Sequence, residues 1–158
     1  MTKEKKREFQ LRISQSNKTG LVIVLYDIAL QYLEDAVVAN ENSDKLQYTF
    51  NLEKARDTID EMIYNLHFEY ELARNLKKIY IYMKKCIRES IISGKPVELD
   101  AVRRMITSLR DSYITIKDND ESDAVMQNTQ AILTGLTYSK NKVLNELTQE
   151  CTNRGYRV

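Results

Sequence analysis

The sequence predicts an all-α protein, an antiparallel up-down-up-down four-helix bundle with an additional C-terminal helix. Three observations carry this expectation. The stretch 17–38 repeats apolar residues on a 3.6-residue period in two adjacent rows, Leu21, Leu25, Ile28, Tyr32 and Val22, Ala29, Leu33, Ala36. A stripe that wide must touch at least two neighbours. Polar breaks then divide the chain into four periodic segments of about twenty residues, the length and spacing of bundle helices. With four glycines, one proline and 30% charged residues, the composition suits soluble helices with few breakers.

The elements follow in order. Residues 1–16 form a leading arm in which Phe9, Leu11 and Ile13 alternate with Gln10 and Arg12. A period of two predicts a short extended segment lying on the bundle, and a frayed helical turn would look similar. Asn17 is a suitable N-cap, because its side-chain oxygen can accept a free backbone N–H. The first long helix is expected over residues 18–39. Asn40, Asn42, Ser43 and Asp44 make a turn in which Asn42 or Ser43 caps the next helix. That helix is expected to reach His67, with Leu52, Ala55, Ile59, Met62, Ile63 and Leu66 facing in. Lys54, Arg56, Asp57, Asp60 and Glu61 form its solvated face.

Residues 68–70 connect to a third helix, which begins near Glu71 and aligns Leu72, Leu76, Ile79, Tyr80, Met83, Ile87 and Ile91. Ser93-Gly94-Lys95-Pro96 stops it, since Gly94 tolerates a left-handed C-cap and Pro96 cannot continue a helix. The fourth helix runs from about Glu98 to Lys117, with Leu99, Val102, Met105, Ile106, Leu109, Tyr113 and Ile116 inward. The bundle thus occupies residues 17–117. Residues 118–158 form a C-terminal helical extension and tail, in which a helix starting near Asp123 carries Val125, Ile132, Leu133 and Leu136.

Charge and composition exclude several function classes. A net charge of +1 argues against a general binder of nucleic acid or membrane. The five basic and two acidic residues among positions 1–12 read as a solvated terminus. Cys86 and Cys151, far apart and outside any CxxC pair, fit free thiols in a reducing cytoplasm. No apolar run is long enough to span a membrane, and Asp27 breaks the one that would serve as a signal peptide. The expected location is cytoplasmic.

Catalytic chemistry is absent from the pattern. The single histidine, His67, falls at a helix end, where an imidazolium complements the dipole. There is no HExxH, P-loop or GxGxxG motif, and one histidine cannot complete the paired Glu-x-x-His ligands of a di-iron bundle. The acids of Asp118-Asn119-Asp120-Glu121-Ser122 lack the glycine and distal glutamate of an EF-hand. No catalytic residue, metal site or cofactor is expected. The aromatic residues are more informative, with ten tyrosines and no tryptophan. Tyr26, Tyr32, Tyr80, Tyr82 and Tyr113 fall on or beside the apolar stripes, as bundle rim or as the wall of a groove for an amphipathic helix.

The motifs, in their order, resemble the flagellar export chaperones of the FliS type. Leu25-Tyr26-Asp27, followed by Ala29, resembles that family's Leu-Tyr-Asp signature on the first bundle helix. Lys54-Ala55-Arg56-Asp57-x-Ile59-x-Glu61 is similar to the second-helix pattern. Leu72-Ala73-Arg74-Asn75-Leu76 with Tyr80-x-Tyr82-Met83 is similar to the third, and Leu109-Arg110-Asp111-x-Tyr113 to the closing Leu-Arg-x-x-Trp. The likeness covers about residues 9–116 and departs at Lys18 (usually Pro), Ile28 (usually Gly) and Tyr113 (usually Trp). The chain also continues for about forty residues past the family's usual end.

The resemblance implies a non-enzymatic chaperone that binds the disordered C-terminal segment of flagellin, prevents premature polymerisation and delivers it to a flagellar export-gate component. On that reading Leu25, Tyr26, Ala29, Tyr80, Met83, Leu109 and Tyr113 form the partner groove and its support, Asp27 is a structural hydrogen-bond acceptor, and Phe9 and Ile13 help to cover the empty groove. A binding module for another secretion client or regulator, and a self-associating structural bundle, are the alternatives; the oligomeric state stays open. In the tail, residues 128–133 and 143–147 are similar to the amphipathic C-terminal end of a flagellin. The tail is then either a fifth helix that permanently completes the core or a placeholder on the client groove.

Overall fold

The computed structural model describes residues 1–66 and 70–117, all of it helical apart from short turns. Five helices lie among these residues: α1 (Lys3–Gln15), α2 (Lys18–Glu41), α3 (Lys45–Tyr64), α4 (Glu71–Ser93) and α5 (Leu99–Lys117). Helices α2–α5 are the expected up-down-up-down bundle. The expected C-terminal helix, the polar break at 118–122 and His67 fall outside the described residues.

Helix α2 is the hub. It packs against α3 and α5, while α4 packs on α3 and more lightly on α5. Helices α2 and α4 are therefore diagonal partners. The two apolar rows of α2 account for this position: Leu25, Ile28, Ala29, Tyr32, Leu33 and Ala36 are all buried. Ile28, which stands where the family usually has Gly, is fully enclosed in the core. Asn17 caps α2, with Oδ1 accepting from Gly20 N–H at 2.8 Å. A Cβ at position 20 would lie 3.0 Å from that oxygen, so the cap itself favours glycine.

Four expectations need correction. The leading arm is a thirteen-residue helix rather than an extended segment. Thr2 caps it by accepting from Lys5 N–H, and Phe9 and Ile13, one turn apart, bury together while Leu11 points to solvent. The strand-like alternation is the edge of a helical stripe. The α3 cap is Asp44, whose Oδ1 accepts from Gln47 N–H, because Ser43 takes a left-handed φ of 58° and carries the chain reversal itself. Glu61, expected in solvent, is buried, and α3 ends at Tyr64 instead of continuing to His67. Asn65 stops it, its backbone N–H and its side-chain amide both donating to the Glu61 carbonyl.

The α4–α5 link follows the expected chemistry. Gly94 adopts φ 64° at the α4 C-cap. Ser90, fully buried one turn earlier, donates to the Cys86 carbonyl at 2.9 Å and accepts from Val97 N–H at 2.9 Å. That one hydroxyl ties the helix end to the returning chain and fixes α4 and α5 as an antiparallel hairpin.

Candidate functional site

The hairpin builds the site. On α4, positions 72, 76, 79, 80, 83 and 87 share one face at the helical period. Leu76, Tyr80, Met83 and Ile87 form a row buried along the length of the helix, whereas Leu72 (69% exposed) and Ile79 (36%) flank that row in solvent. The α5 stripe opens along the chain. Val102 and Ile106 are fully buried, Leu109 and Tyr113 are half-buried, and Ile116 is 52% exposed. Because the helices run antiparallel, Leu72 at the start of α4 and Ile116 at the end of α5 lie at the same end of the bundle. Leu72, Ile79 and Ile116, all expected in the core, mark an apolar face that the described residues leave uncovered.

Tyrosines form the floor beside this face. Tyr26 of α2 and Tyr80 of α4 share a hydroxyl–hydroxyl hydrogen bond of 2.5 Å across the bundle diagonal. The Tyr113 ring of α5 lies against Tyr26, with centroids 5.7 Å apart and planes tilted by 53°. Burial pushes the Tyr26 phenol far above its ordinary range, and the neighbouring Tyr80 adds to the effect. Tyr80 is pushed up to about 12, mainly by burial, against a lowering by its bond from Tyr26. Burial raises Tyr113 as well. All three stay neutral at physiological pH, so the floor is an uncharged aromatic wall with one internal polar bond.

Next to Tyr26, Asp27 gathers two cations. It accepts from the Arg12 guanidinium of α1 and, at 3.4 Å, from Arg110 Nη1 of α5. Arg110 also holds Asp111 at 2.8 Å, and that neighbour is the chief reason its pKa rises above the ordinary arginine range. Asp27 is thus the hydrogen-bond acceptor that joins α1, α2 and α5. Helix α1 itself packs on α2.

Of the seven residues singled out for partner binding, Leu25, Tyr26, Ala29, Tyr80 and Met83 are buried in the core, while Leu109 and Tyr113 are half-buried. The structure brings Tyr26, Tyr80 and Tyr113 together. Sequence reasoning missed the Asp27–Arg110 link, although both residues sit inside the quoted motifs, beside the tyrosines they help to position. A separate open groove of about 820 Å³ runs between α2 and α5, lined by Glu34, Arg103, Asp111 and several hydroxyls but by no histidine or cysteine. Among the described residues, no cluster of His, Cys, Asp or Glu could hold a metal ion, and no helix is long and apolar enough to cross a membrane.

Comparison with known proteins decides the family. The family model described as flagellar protein FliS matches residues 1–120. This chain belongs to the FliS family. It is also similar to the flagellar secretion chaperone FliS of Bacillus subtilis (strain 168), at 27% identity over 114 residues that cover 72% of this chain and 86% of the relative. The family match spans α1–α5 and takes in the aromatic floor, the Asp27 junction and the uncovered α4–α5 face.

Proposed function

We propose that the protein is a cytoplasmic flagellar export chaperone whose uncovered α4–α5 face binds the C-terminal segment of flagellin as an amphipathic helix. The single observation that carries this reading is a set of apolar side chains left in solvent beside the core stripe of α4 and at the end of that of α5. Leu72 and Ile79 on α4 and Ile116 on α5 carry on the spacing of buried Met83, Ile87 and Ile106, so an added helix can extend the same packing. A disordered segment gains most from such a face, because it buries apolar area only as it folds there. Tyr26, Tyr80 and Met83 support the face from below, while Leu109 and Tyr113 reach into it. Capture of the segment holds flagellin monomeric until it is handed to an export-gate component, and no step needs bond chemistry.

Titration calorimetry with a peptide covering roughly the last forty residues of the host flagellin tests the reading. Binding with a large negative heat-capacity change is expected, as for coupled folding in an apolar groove. Leu72→Asp, at an exposed position, should remove that binding while leaving the melting temperature within a few degrees of the parent. No binding by the folded full chain, or unchanged binding by Leu72→Asp, would overturn it.

A further inference from the structure

We propose that residues 125–147 of this same chain occupy the uncovered α4–α5 face in the free protein. The inference rests on the client reading of that face and adds a built-in competitor for it.

Helix α5 ends at Lys117, at the open end of the hairpin, one residue past the exposed Ile116. The chain goes on to Val158 from that point. The stretch 118–124 can extend over about 20 Å. Neighbouring helix axes lie only about 8–10 Å apart. The following residues therefore start within reach of Leu72 and Ile79.

Val125, Ile132, Leu133, Leu136, Val143, Leu144 and Leu147, placed at 100° per residue, all fall within an arc of roughly 120°, the width of one core-facing stripe. The run 125–147 is as long as the 23-residue α4 against which it would lie. Gly135 sits in the middle of it and weakens helix formation there. A docked but weakened helix suits a displaceable occupant better than a permanent one. The family match ends at residue 120, so the stretch is an addition to the shared bundle.

Tethering selects this occupant over a second copy. A segment joined by a short linker competes at an effective concentration near the millimolar range, far above that of a free second molecule. For similar contacts the tethered segment wins.

The test uses the full chain, with hydrogen exchange read by mass spectrometry in the absence of any client. Peptides from 125–147 are expected to exchange at least tenfold more slowly than an unstructured chain, and to lose that protection in Leu72→Asp. The tail variant Ile132→Asp/Leu136→Asp should lose it too, keep its melting temperature within a few degrees, and bind the flagellin peptide about tenfold more tightly. An unprotected tail in the parent overturns the proposal. So does a tail variant that melts far lower, which would make the segment a permanent core helix. Protection that depends on protein concentration, with a sedimenting dimer, assigns the face to a second copy and overturns it as well. Protection lost in both variants, with no flagellin binding by any form, supports the docked tail and defeats the client reading instead.

Discussion

The two halves of the α4–α5 hairpin use the same residue types at similar spacing and differ in how completely they are covered. At the closed half, Met83, Ile87, Val102 and Ile106 lose all contact with solvent. At the open half, Leu76 and Tyr80 are buried too, but Leu72, Ile79 and Ile116 keep much of their exposure. Helix α3 packs on α4 and α2 on α5, while the two hairpin helices meet each other less. The Ser90–Val97 link holds α4 and α5 together at one end, and α5 packs only lightly on α4 elsewhere. Apolar spacing thus says which face of a helix turns inward, and neighbouring elements decide whether that face becomes core or binding surface.

Truncating one residue in each half separates core from surface most strongly. Ile87→Ala leaves a cavity in fully packed surroundings and should cost about 3 kcal/mol. Leu72→Ala truncates a side chain that is 69% exposed and at most covered by a displaceable segment, and should stay within about 0.5 kcal/mol of the parent. Urea denaturation of the two variants measures both. Equal losses would mean that the open half is core after all, filled by a segment the parent never releases.

The aromatic floor should respond next. Tyr80→Phe removes one hydroxyl and leaves that of Tyr26 buried without its partner, a loss of about 1–2 kcal/mol. Tyr26→Phe/Tyr80→Phe removes both polar groups from an apolar site and should be more stable than the sum of the single changes predicts. Additive losses in that double-mutant cycle would show that the diagonal bond contributes nothing of its own.

How much of this is legible in the sequence follows from the same physics. The four bundle helices and the Asn17 and Gly94 caps are legible because each rests on local rules of period and capping. The leading arm misleads because thirteen residues with two buried side chains give too short a stripe to separate a period of two from one of 3.6. Glu61 is misplaced by pattern alone because its burial depends on the end of α3 and on Asn65, both tertiary outcomes. In the candidate site, tyrosines at stripe edges can be picked out, but Leu72 and Met83 look alike in sequence. Only the packing shows that one is surface and the other core.

A smaller effect is expected at Arg110, one turn before Tyr113 on the open half of α5. Its bond to Asp27 ties that half to α2, while Asp27 keeps Arg12 as a second partner. Both groups are partly exposed, so Arg110→Gln should cost no more than about 1 kcal/mol. The loss, read from thermal melts, should shrink as salt is raised, because screening weakens the parent's pair. A loss that salt does not change would assign the role of Arg110 to packing of its stem on the open half.

The smallest effect concerns Glu61, which among the described residues is the one buried carboxylate and lies at the open end, near the close of α3. Burial raises its pKa, and the Asn65 amide donating to Oε1 at 3.0 Å offsets that only in part. The folded protein therefore holds this proton more tightly than the unfolded chain does. As pH rises through the ordinary carboxyl range, the unfolded chain ionises first, and stability falls until the native carboxyl ionises too. Above that window the penalty is constant. Glu61→Gln keeps an oxygen for Asn65 and removes the charge, so it should raise the melting temperature near neutral pH by about 1–3 °C. The gain should vanish as pH drops below about 4, where the parent is protonated in both states. If Glu61→Gln instead destabilises the protein at neutral pH, the carboxylate has a positive partner at the open end, and this half of the bundle is held by charge there as well as at Asp27.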